Sequence, residues 1–434
     1  MSKWPVSSLK GKINIKHGFP FKSEFFSDEE TDFIVLTPGN FYEEGGFKRQ
    51  AGKEKFYTGD IQEEYLHKAG DLIVAMTEQA AGLLGSCARV PESGIYLHNQ
   101  RLGLITTDSK QILRDYVYHL FKTKTVREQI RLTSSGSKVK HTSPERIYDV
   151  RAPLPTVSEQ QNIVDLLDSI ETKIELNNRI NTELEAMAKT LYDYWFVQFD
   201  FPDDSSQGQG KPYKTSGGKM VYNPTLKREI PEGWIDCLLG DHVTFKRGIS
   251  YKSGDIQDTG VPFINLNSFS LSGDFKLEGT KYYNGKFKPE SKLNPGELVI
   301  AITDVTRNAD IIGKSFVIPD IFDETPLMSC DVASVSSRKF CNAYLEQLFN
   351  SESYHKYIKY YASGTLVLHL DLNGVKWFKT YLPPQKLLEE YSQHCASLFK
   401  QRDIVLKENV YLESLRDWLL PMLMNGQVTV GAEN

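Results

Sequence analysis

Two polar stretches of the sequence carry side chains suited to binding DNA. The stretch from Thr133 to Ser143, TSSGSKVKHTS, combines a glycine with hydroxyl groups, lysines and a histidine. Lysines in such a loop suit contact with phosphates, which positions a protein on DNA. Asn99, Gln100 and Arg101 follow an apolar segment and have the paired donors and acceptors that match base edges. These residue types predict nucleic-acid binding, and ordinary surface polarity is the alternative for each of them.

The sequence contains no complete catalytic or metal-binding motif. Residues 312–315, IGKS, resemble the end of a phosphate-binding loop, but Asn308 stands where the first glycine is needed. The tripeptide ETK at 171–173 has nuclease-like spacing, yet it lies in a helical stretch rather than on a strand. The five cysteines are scattered and odd in number, which indicates neither a zinc site nor a disulfide framework. We therefore predict a binding protein without catalytic residues, and with no metal or cofactor of its own.

The charge distribution permits DNA binding even though the net charge is −5. Residues 122–151 hold eight basic and three acidic side chains, whereas residues 159–189 hold three basic and seven acidic ones. Only charges near phosphates contribute to the electrostatic part of DNA binding. A locally basic segment is therefore compatible with DNA contact, with a solvated surface as the alternative.

The sequence repeats itself in four separated blocks. The offsets between the copies are 230, 226, 228 and 228 residues. Such constancy indicates a globular unit followed by a long helix, made twice. The paired blocks are KHGFPFKS (16–23) with KRGISYKS (246–253), GDLIVAMT (70–77) with GELVIAIT (296–303), SSGSKVKH (134–141) with ASGTLVLH (362–369), and LP (154–155) with LP (382–383).

Residues shared by the two copies are expected to form the scaffold, and residues that differ are expected to give separate specificities. The second copy of the 134–141 block keeps a glycine and a histidine but loses the lysines. We align Asn99, Gln100 and Arg101 with Met328, Ser329 and Cys330. The candidate DNA-contacting residues from both copies are Lys22, Asn99, Gln100, Arg101, Ser135, Gly136, Ser137, Lys138, Lys140, His141, Lys246, Arg247, Tyr251, Lys252, Arg307, Gly364, Thr365 and His369.

A long helix is predicted from about Ser158 to Val197, because apolar residues recur every seven positions without an interrupting glycine or proline. Ser158, with Gln161 three residues later, predicts the helix start. The predicted a positions of the heptad are Ile163, Ile170, Asn177, Leu184 and Leu191, and the predicted d positions are Leu166, Ile180, Met187 and Tyr194. Leu167, Ile174 and Trp195 are expected to widen this apolar stripe.

A second helix, from Gln385 to Met422, has matching length and spacing. Its predicted a positions, each 228 residues after one in the first helix, are Tyr391, Leu398, Val405, Leu412 and Leu419. Its d positions are polar, so the neighbouring Ile404, Tyr411 and Trp418 are expected to share the contact. We predict an intramolecular coiled coil whose register is set by Asn177. The alternative is two separate helices, each lying on its own domain.

The predicted fold class is α+β. Gly, Ser and Pro are frequent between the two copies, which predicts a linker there. The N-terminus lacks the apolar core of a signal peptide, and the longest apolar runs are too short to span a bilayer, so a cytoplasmic protein is expected. The predicted boundaries are a globular unit at 1–155, a helix at 156–200, a linker at 201–230, a second globular unit at 231–384 and a helix at 385–425.

Together these features resemble the DNA specificity subunit of type I restriction-modification systems. The resemblance rests on Leu-Pro before Glu-Gln-Gln, on the motifs ELEAMAKTLYDYWFVQFDFP and GGKMVYNPTLKREIPEGW, and on the two K-x-G-x-x-x-K-S openings. It covers essentially the whole chain. The second helix departs from the pattern because it lacks Glu-Gln-Gln at the matching position.

The resemblance implies that each globular unit is a target-recognition domain for one half of a bipartite site in double-stranded DNA. The two helices would pair antiparallel, set the gap between the half-sites and dock two DNA-adenine methyltransferase subunits. A restriction subunit with nuclease and translocase activity would join them. S-adenosylmethionine, ATP and Mg would then belong to those partners.

Two other functions are kept as alternatives. A stand-alone DNA-modifying enzyme would show activity with the purified chain, metal and S-adenosylmethionine. A protein-binding scaffold with duplicated domains would fail to bind DNA even when the methyltransferase subunit is present.

Overall fold

The computed structural model describes residues 4–50, 52–78, 82–136, 139–203, 208–306 and 308–431. Contacts divide the chain into two compact units. Unit 1 comprises Met1–Ile174 and Tyr411–Asn434, and unit 2 comprises Glu175–Val410. Both long helices therefore contribute residues to both units.

Unit 1 is built on an antiparallel main sheet. The strand Leu72–Ala75 lies between two neighbours and is completely buried, which explains why its sequence, LIVA, has no polar residue. A smaller second sheet contains a parallel pair of strands. In spatial order, the main sheet is Ile13–His17, Leu102–Thr107, Leu72–Ala75 and Cys87–Arg89, and the second sheet is Phe26–Ser27, Phe56–Tyr57, Ile34–Leu36 and Tyr96–His98.

Helices cover the main sheet of unit 1 and complete its core. Tyr116, Phe121 and Ile130 are buried there together with residues of the first long helix. The strand Val6–Ser8 pairs with Arg151–Pro153 just before that helix begins. The short helices of this unit are Arg114–Lys122, Lys124–Leu132 and Pro144–Tyr148.

Unit 2 repeats this arrangement strand for strand, so the sequence repeat is a repeat of the fold. Its strand Ile235–Leu238 pairs with Lys379–Leu382, as the corresponding strands do in unit 1. The main sheet is Val243–Arg247, Val332–Ser337, Leu298–Ala301 and Ser315–Val317, the second sheet is Ile256–Gln257, Lys281–Tyr283, Val261–Ile264 and Leu327–Met328, and the short helices are Asn342–Asn350, Glu352–Ile358 and Leu372–Lys376.

The segment predicted as a linker is folded where the structure describes it. Strands Met220–Asn223 and Arg228–Pro231 form a hairpin, and Ile230 is buried in the core of unit 2. Phe201 stacks on Tyr213 with ring centroids 4.7 Å apart. The prediction was based on Gly, Ser and Pro content, which does not reveal that aromatic side chains pack this segment onto unit 2.

The first long helix spans Val157–Tyr192 and continues as a π-helical turn at Asp193–Val197, and the second spans Gln385–Met424. The predicted N-cap, Ser158, is wrong. Thr156 caps the first helix instead: its hydroxyl and backbone N–H donate to the Glu159 carboxylate over 2.8 Å and 3.0 Å, and the Glu159 N–H donates back to the hydroxyl.

The two long helices pair antiparallel. Within unit 2, Asn177 of the first helix contacts Asn409 of the second, and further along the first helix Trp195 contacts Tyr391. Rising numbers on one helix thus meet falling numbers on the other. Within unit 1, the last turns of the second helix share a core with the first helix, where Leu419 and Leu423 are buried.

The contact positions of the helices differ in part from the prediction. Of the predicted a positions, Ile163, Ile170, Asn177, Leu184, Tyr391 and Leu419 are buried, and Leu191, Leu398, Val405 and Leu412 are half-buried. The buried companions lie four residues after an a position, and include Leu167, Ile174, Asn181, Ala188, Trp195, Cys395, Arg402 and Asn409. Six further residues were expected to contact the partner helix, and this prediction is wrong because their side chains are exposed: Ile180, Met187, Tyr194, Ile404, Tyr411 and Trp418.

A layer of buried asparagines lies between the helices within unit 2. The Asn177 amide donates to the Asn409 side-chain oxygen over 2.9 Å and to Glu408 over 2.8 Å. Asn409 in turn donates to Asn178 over 2.8 Å. Since such amide pairs are satisfied in only one alignment of the helices, the layer favours that register at some cost in stability.

Replacing Asn409 with Leu is expected to lower the free energy of unfolding by about 1–3 kcal/mol, because it leaves the buried Asn177 amide without that acceptor. The double variant Asn177→Leu, Asn409→Leu replaces both partners with apolar groups and is expected to be at least as stable as the parent. Urea unfolding of the purified chain measures both. A double variant less stable than the single one would contradict this role for the layer.

The fold class predicted from the sequence is confirmed: the chain is α+β, with two similar units and two long helices that pair antiparallel. Among the described residues, no helix combines the length and apolar character needed to cross a bilayer.

Candidate nucleic-acid interface

In unit 1, polar segments from distant parts of the chain meet at one edge of the main sheet. Residues 76–78 extend the strand Leu72–Ala75 past its end. The Met76 N–H donates to the Arg101 carbonyl over 2.9 Å, and the Met76 carbonyl accepts from the Thr142 N–H over 3.0 Å. This extension therefore lies between the 99–101 turn and the 135–141 hairpin. We call these segments, with residues 17–19, the polar edge of unit 1.

Gly18 allows the chain to approach this turn closely. The Phe19 N–H donates to the His98 carbonyl over 3.0 Å. A Cβ at position 18 would overlap the carbonyl oxygens of both His98 and Asn99. The glycine of the repeated K-x-G block is thus required by packing and belongs to the scaffold.

The hairpin 135–141 is held firmly at its base. Ser135 and His141 exchange backbone hydrogen bonds of 2.9 Å and 2.8 Å. The His141 Nδ1 lies 3.1 Å from the Thr77 hydroxyl. Gly136 has a φ of 99°, and a Cβ there would overlap the Val139 carbonyl. These contacts fix the backbone at the base of the hairpin, at Ser135 and His141.

Unit 2 builds the same polar edge from residues 247–249, 302–304, 329–331 and 363–369. The Ile302 N–H donates to the Asp331 carbonyl, and the Ile302 carbonyl accepts from the Leu370 N–H, both over 2.9 Å. A Cβ at Gly248 would overlap the Ser329 carbonyl. These contacts match those of unit 1 one for one.

The backbone contacts align Asn99, Gln100 and Arg101 with Ser329, Cys330 and Asp331. His98 in unit 1 and Met328 in unit 2 accept equivalent hydrogen bonds, from Phe19 and Ile249 respectively. The alignment predicted from sequence, which began at Met328, is therefore wrong by one residue.

The corrected alignment places opposite charges at one position. Arg101 is exposed, whereas its counterpart Asp331 is half-buried and accepts from the Thr303 hydroxyl over 2.9 Å. Burial, followed by the charge of Asp331, raises the pKa of the neighbouring Tyr251. Sequence analysis missed Asp331 because the offset between the copies is 226 at the strand Leu72–Ala75 but 230 at the strands on both sides of this turn.

Each polar edge also has an acidic residue that accepts hydrogen bonds from backbone N–H groups further along the chain. The buried Asp304 carboxylate accepts from the N–H groups of Thr306, Ile311 and Ile312 over 2.6, 2.7 and 3.0 Å. Glu78 in unit 1 accepts from the Gly82 N–H over 2.9 Å. These two acidic residues could have been found from the sequence, because each directly follows the repeated threonine, in AMTE and AITD.

The other predicted site residues are distributed unevenly. Lys22, Arg247 and Lys252 are exposed, and Lys246 donates to the Glu290 carbonyl. Tyr251 packs edge-on against Phe263 with centroids 5.0 Å apart, so part of its ring belongs to the core. The polar edges bring together Asn99, Gln100, Arg101, Ser135, Gly136, Lys140 and His141 in unit 1, and Arg247, Gly364, Thr365 and His369 in unit 2. Ser137, Lys138 and Arg307 lie outside the described residues.

His119, Asp168 and Glu171 in unit 1 form a cluster with the spacing of a metal site. Both carboxylates already pair with cationic side chains: Arg89 donates to Asp168 over 2.9 Å, and Lys122 donates to Glu171 over 2.5 Å. Burial lowers the pKa of His119, which favours a neutral ring. Two carboxylates facing two cations are balanced, so the cluster is an ion-pair network that fixes Arg114–Lys122 to the first long helix.

Residues 1–186 match the family model of the type I restriction modification DNA specificity domain. The chain is 25% identical over 321 residues to the type I restriction enzyme MjaIX specificity subunit of Methanocaldococcus jannaschii, covering 74% of this chain and 70% of that protein. It is 21% identical over 392 residues to the HindI specificity subunit of Haemophilus influenzae, covering 77% and 81%. The N-terminal part of the chain thus matches the DNA specificity domain, and most of the chain is similar to type I specificity subunits.

A solved structure has a similar fold. The S subunit of a type I restriction-modification system from M. genitalium superposes with a TM-score of 0.57 at 14% sequence identity, covering 98% of this chain and 96% of that one. The family model ends at residue 186, yet the polar edge of unit 2 repeats that of unit 1. The specificity domain architecture is therefore present twice.

Replacing Gly248 with Ala is expected to destabilise the chain by about 1–3 kcal/mol, because the new methyl group would overlap the Ser329 carbonyl. Gly254, directly after the same repeated block, is a matched control, since nothing lies within 4 Å of a Cβ there. Its Ala variant is expected to stay within about 0.5 kcal/mol of the parent. Urea unfolding compares them, and equal losses would contradict the packing role of Gly248.

Proposed function

We propose that this chain confers DNA sequence specificity on a type I restriction-modification complex, with each unit recognising one half of a bipartite target. The observation that carries this proposal is the polar edge, which is built twice on the same backbone contacts with different side chains. Shared glycines and hydrogen bonds support a common scaffold, and differing side chains support separate recognition.

The difference at Arg101 and Asp331 favours different bases. An arginine guanidinium matches the paired acceptors of guanine, whereas a carboxylate accepts from the amino group of cytosine. A carboxylate is also repelled by phosphates, so Asp331 suits a position that faces base edges rather than the DNA backbone. Arg101 and Asp331 are therefore our leading candidates for base recognition.

The two long helices are proposed to fix the number of unspecified base pairs between the half-sites. Each helix is continuous across the division between the units, which occurs after Ile174 in the first and after Val410 in the second. The asparagine layer holds their register. Helices of fixed length and register suit a spacer, because neither can slide without breaking buried hydrogen bonds.

Two methyltransferase subunits and a restriction subunit are the proposed protein partners. In unit 2, Leu176, Ile180 and Met187 leave apolar side chains exposed along the first long helix, which suits docking of a partner. We further propose that the chain is non-catalytic and works beside DNA in the cytoplasm. S-adenosylmethionine, ATP and Mg would then be bound by the partner subunits.

Exchanging residues 1–150 for the same unit of another specificity subunit tests the proposal. The reconstituted methyltransferase complex is expected to methylate a target in which one half has changed, while the other half and the gap stay as in the parent. Sequencing of methylated adenines in exposed DNA measures this. If both halves change together, the two units do not recognise DNA separately.

The alternatives give other results in the same assay. Methylation by the purified chain with S-adenosylmethionine alone would indicate a stand-alone enzyme. A complex that assembles but binds no DNA would indicate a protein scaffold.

Replacing Lys138 and Lys140 with Ala is expected to weaken DNA binding by the complex for every sequence, because lysines at phosphates position the protein without recognising bases. The slope of log affinity against log salt should fall by up to roughly two phosphate contacts. Titration of target and non-target DNA at several salt concentrations measures both. Lys10→Ala, an exposed lysine outside the polar edge, serves as the control. A changed target at an unchanged salt slope would mean that these lysines recognise bases.

A further inference from the structure

The tip of the 363–369 hairpin in unit 2 is apolar where the matching hairpin of unit 1 is basic. Leu366 and Leu368 occupy the sequence positions that correspond to Lys138 and Lys140. The Leu366 side chain is 88% exposed. A single exposed leucine is ordinary on a protein surface, so whether Leu366 marks a binding surface depends on the residues around it.

Two further exposed apolar side chains lie beside Leu366. Val367 is the next residue of the hairpin and is exposed, and Val305 is 64% exposed. Thr303 pairs with His369 and Asp304 with Leu368 in an antiparallel ladder. Continuing that register places Val305 opposite Val367, so both side chains lie on one face. The three residues form a small apolar tip within an otherwise polar edge.

The backbone under this apolar tip is rigid. Gly364 has a φ of 142°, and a Cβ there would overlap the Val367 carbonyl, as occurs at Gly136 in unit 1. On the other side, the buried Asp304 fixes the loop after Val305 through its three backbone hydrogen bonds. The backbone is therefore restricted both at Gly364, near Leu366, and at the segment that follows Val305.

We infer that Leu366, supported by Val367 and Val305, makes an apolar contact with a base pair in the half-site of unit 2. A leucine cannot bind phosphate or form hydrogen bonds to base edges. It can pack against the methyl group of thymine or insert between base pairs. The inference rests on the proposed function, because it takes the polar edge of unit 2 as the surface that faces DNA.

The same hairpin would then act differently in the two units. In unit 1 its lysines add affinity for any DNA sequence, whereas in unit 2 its apolar tip adds affinity only where the base pair fits. Unit 2 would therefore contribute less to the salt dependence of binding and more to discrimination at this position.

The test compares Leu366→Ala, Leu366→Lys and Leu271→Ala in the reconstituted methyltransferase complex. Leu271 is a matched control because it is 71% exposed in the same unit and lies in a different hairpin, between Phe269 and Phe275. The DNA probes are the target identified by methylation sequencing of the parent complex and a scrambled duplex of equal length.

Leu366→Ala is expected to lower affinity for the target about tenfold, within the range of one mismatched base pair, and to leave affinity for the scrambled duplex unchanged. Leu366→Lys should lose the same discrimination, but bind the scrambled duplex more tightly and with a salt slope steeper by about one contact. Leu271→Ala should bind as the parent does. Replacing target thymines with deoxyuridine then separates methyl contact, which would lose affinity, from insertion, which would not.

Two results would overturn the inference. If the parent prefers its target and Leu366→Ala keeps the full preference, Leu366 does not contact a base pair. If Leu366→Ala instead weakens assembly with the methyltransferase subunit, the apolar tip binds protein. A parent complex that shows no preference for any DNA sequence would refute the proposed function itself.

Discussion

At Gly18 and Gly248 the backbone passes against the carbonyl oxygens of a neighbouring segment, and the polar edge of each unit depends on that contact. It fixes the turn at 99–101 or 329–331, which in turn bonds to the extended strand at Met76 or Ile302. The hairpin then attaches to the other side of that strand. One close approach therefore positions every segment that we assign to DNA recognition.

The repeat in the sequence predicted the fold well because the repeated residues are those that the backbone requires. Gly18, Gly136 and Thr77, with their counterparts, make contacts that another residue type would break. The turn at 99–101 was misaligned for the opposite reason. Its side chains are free to differ between the units, and the offset changes between the strand Leu72–Ala75 and this turn, so sequence similarity gave no guide there.

The helix contacts show a different limit of sequence analysis. A seven-residue period identified the a positions, and apolar side chains identified the companions Leu167, Ile174 and Trp195 four residues later. Where the companion four residues later is polar, the period does not favour it over an apolar residue three residues later. Ile180 and Met187 are apolar and exposed, while the polar Asn181 and Arg402 are buried. Burial there follows from which face meets the partner helix. That geometry is decided by the whole antiparallel pair and not by the hydrophobicity of one residue.

The two units secure corresponding short helices with different chemistry, to the first long helix in unit 1 and to the main sheet in unit 2. In unit 1, Arg114–Lys122 is attached through the ion-pair network around Asp168 and Glu171. In unit 2, the buried Glu346 of Asn342–Asn350 accepts from the Val317 N–H over 2.7 Å, and burial raises its pKa to about 7. The scaffold thus preserves positions rather than particular interactions, which allows each unit to diverge without disturbing the other.

Unit 2 is one uninterrupted stretch of the chain, whereas unit 1 is assembled from both ends of it. Leu419 and Leu423 complete the core of unit 1, and the Leu423 carbonyl accepts from the Trp4 indole over 3.1 Å. Because synthesis proceeds from the N-terminus, these residues leave the ribosome after all of unit 2. All residues of unit 2 are synthesised before the last residues of unit 1, although the sequence of unit 2 begins later. A polypeptide released before the second long helix is finished therefore lacks part of the core of unit 1, even though most of unit 1 was translated before unit 2.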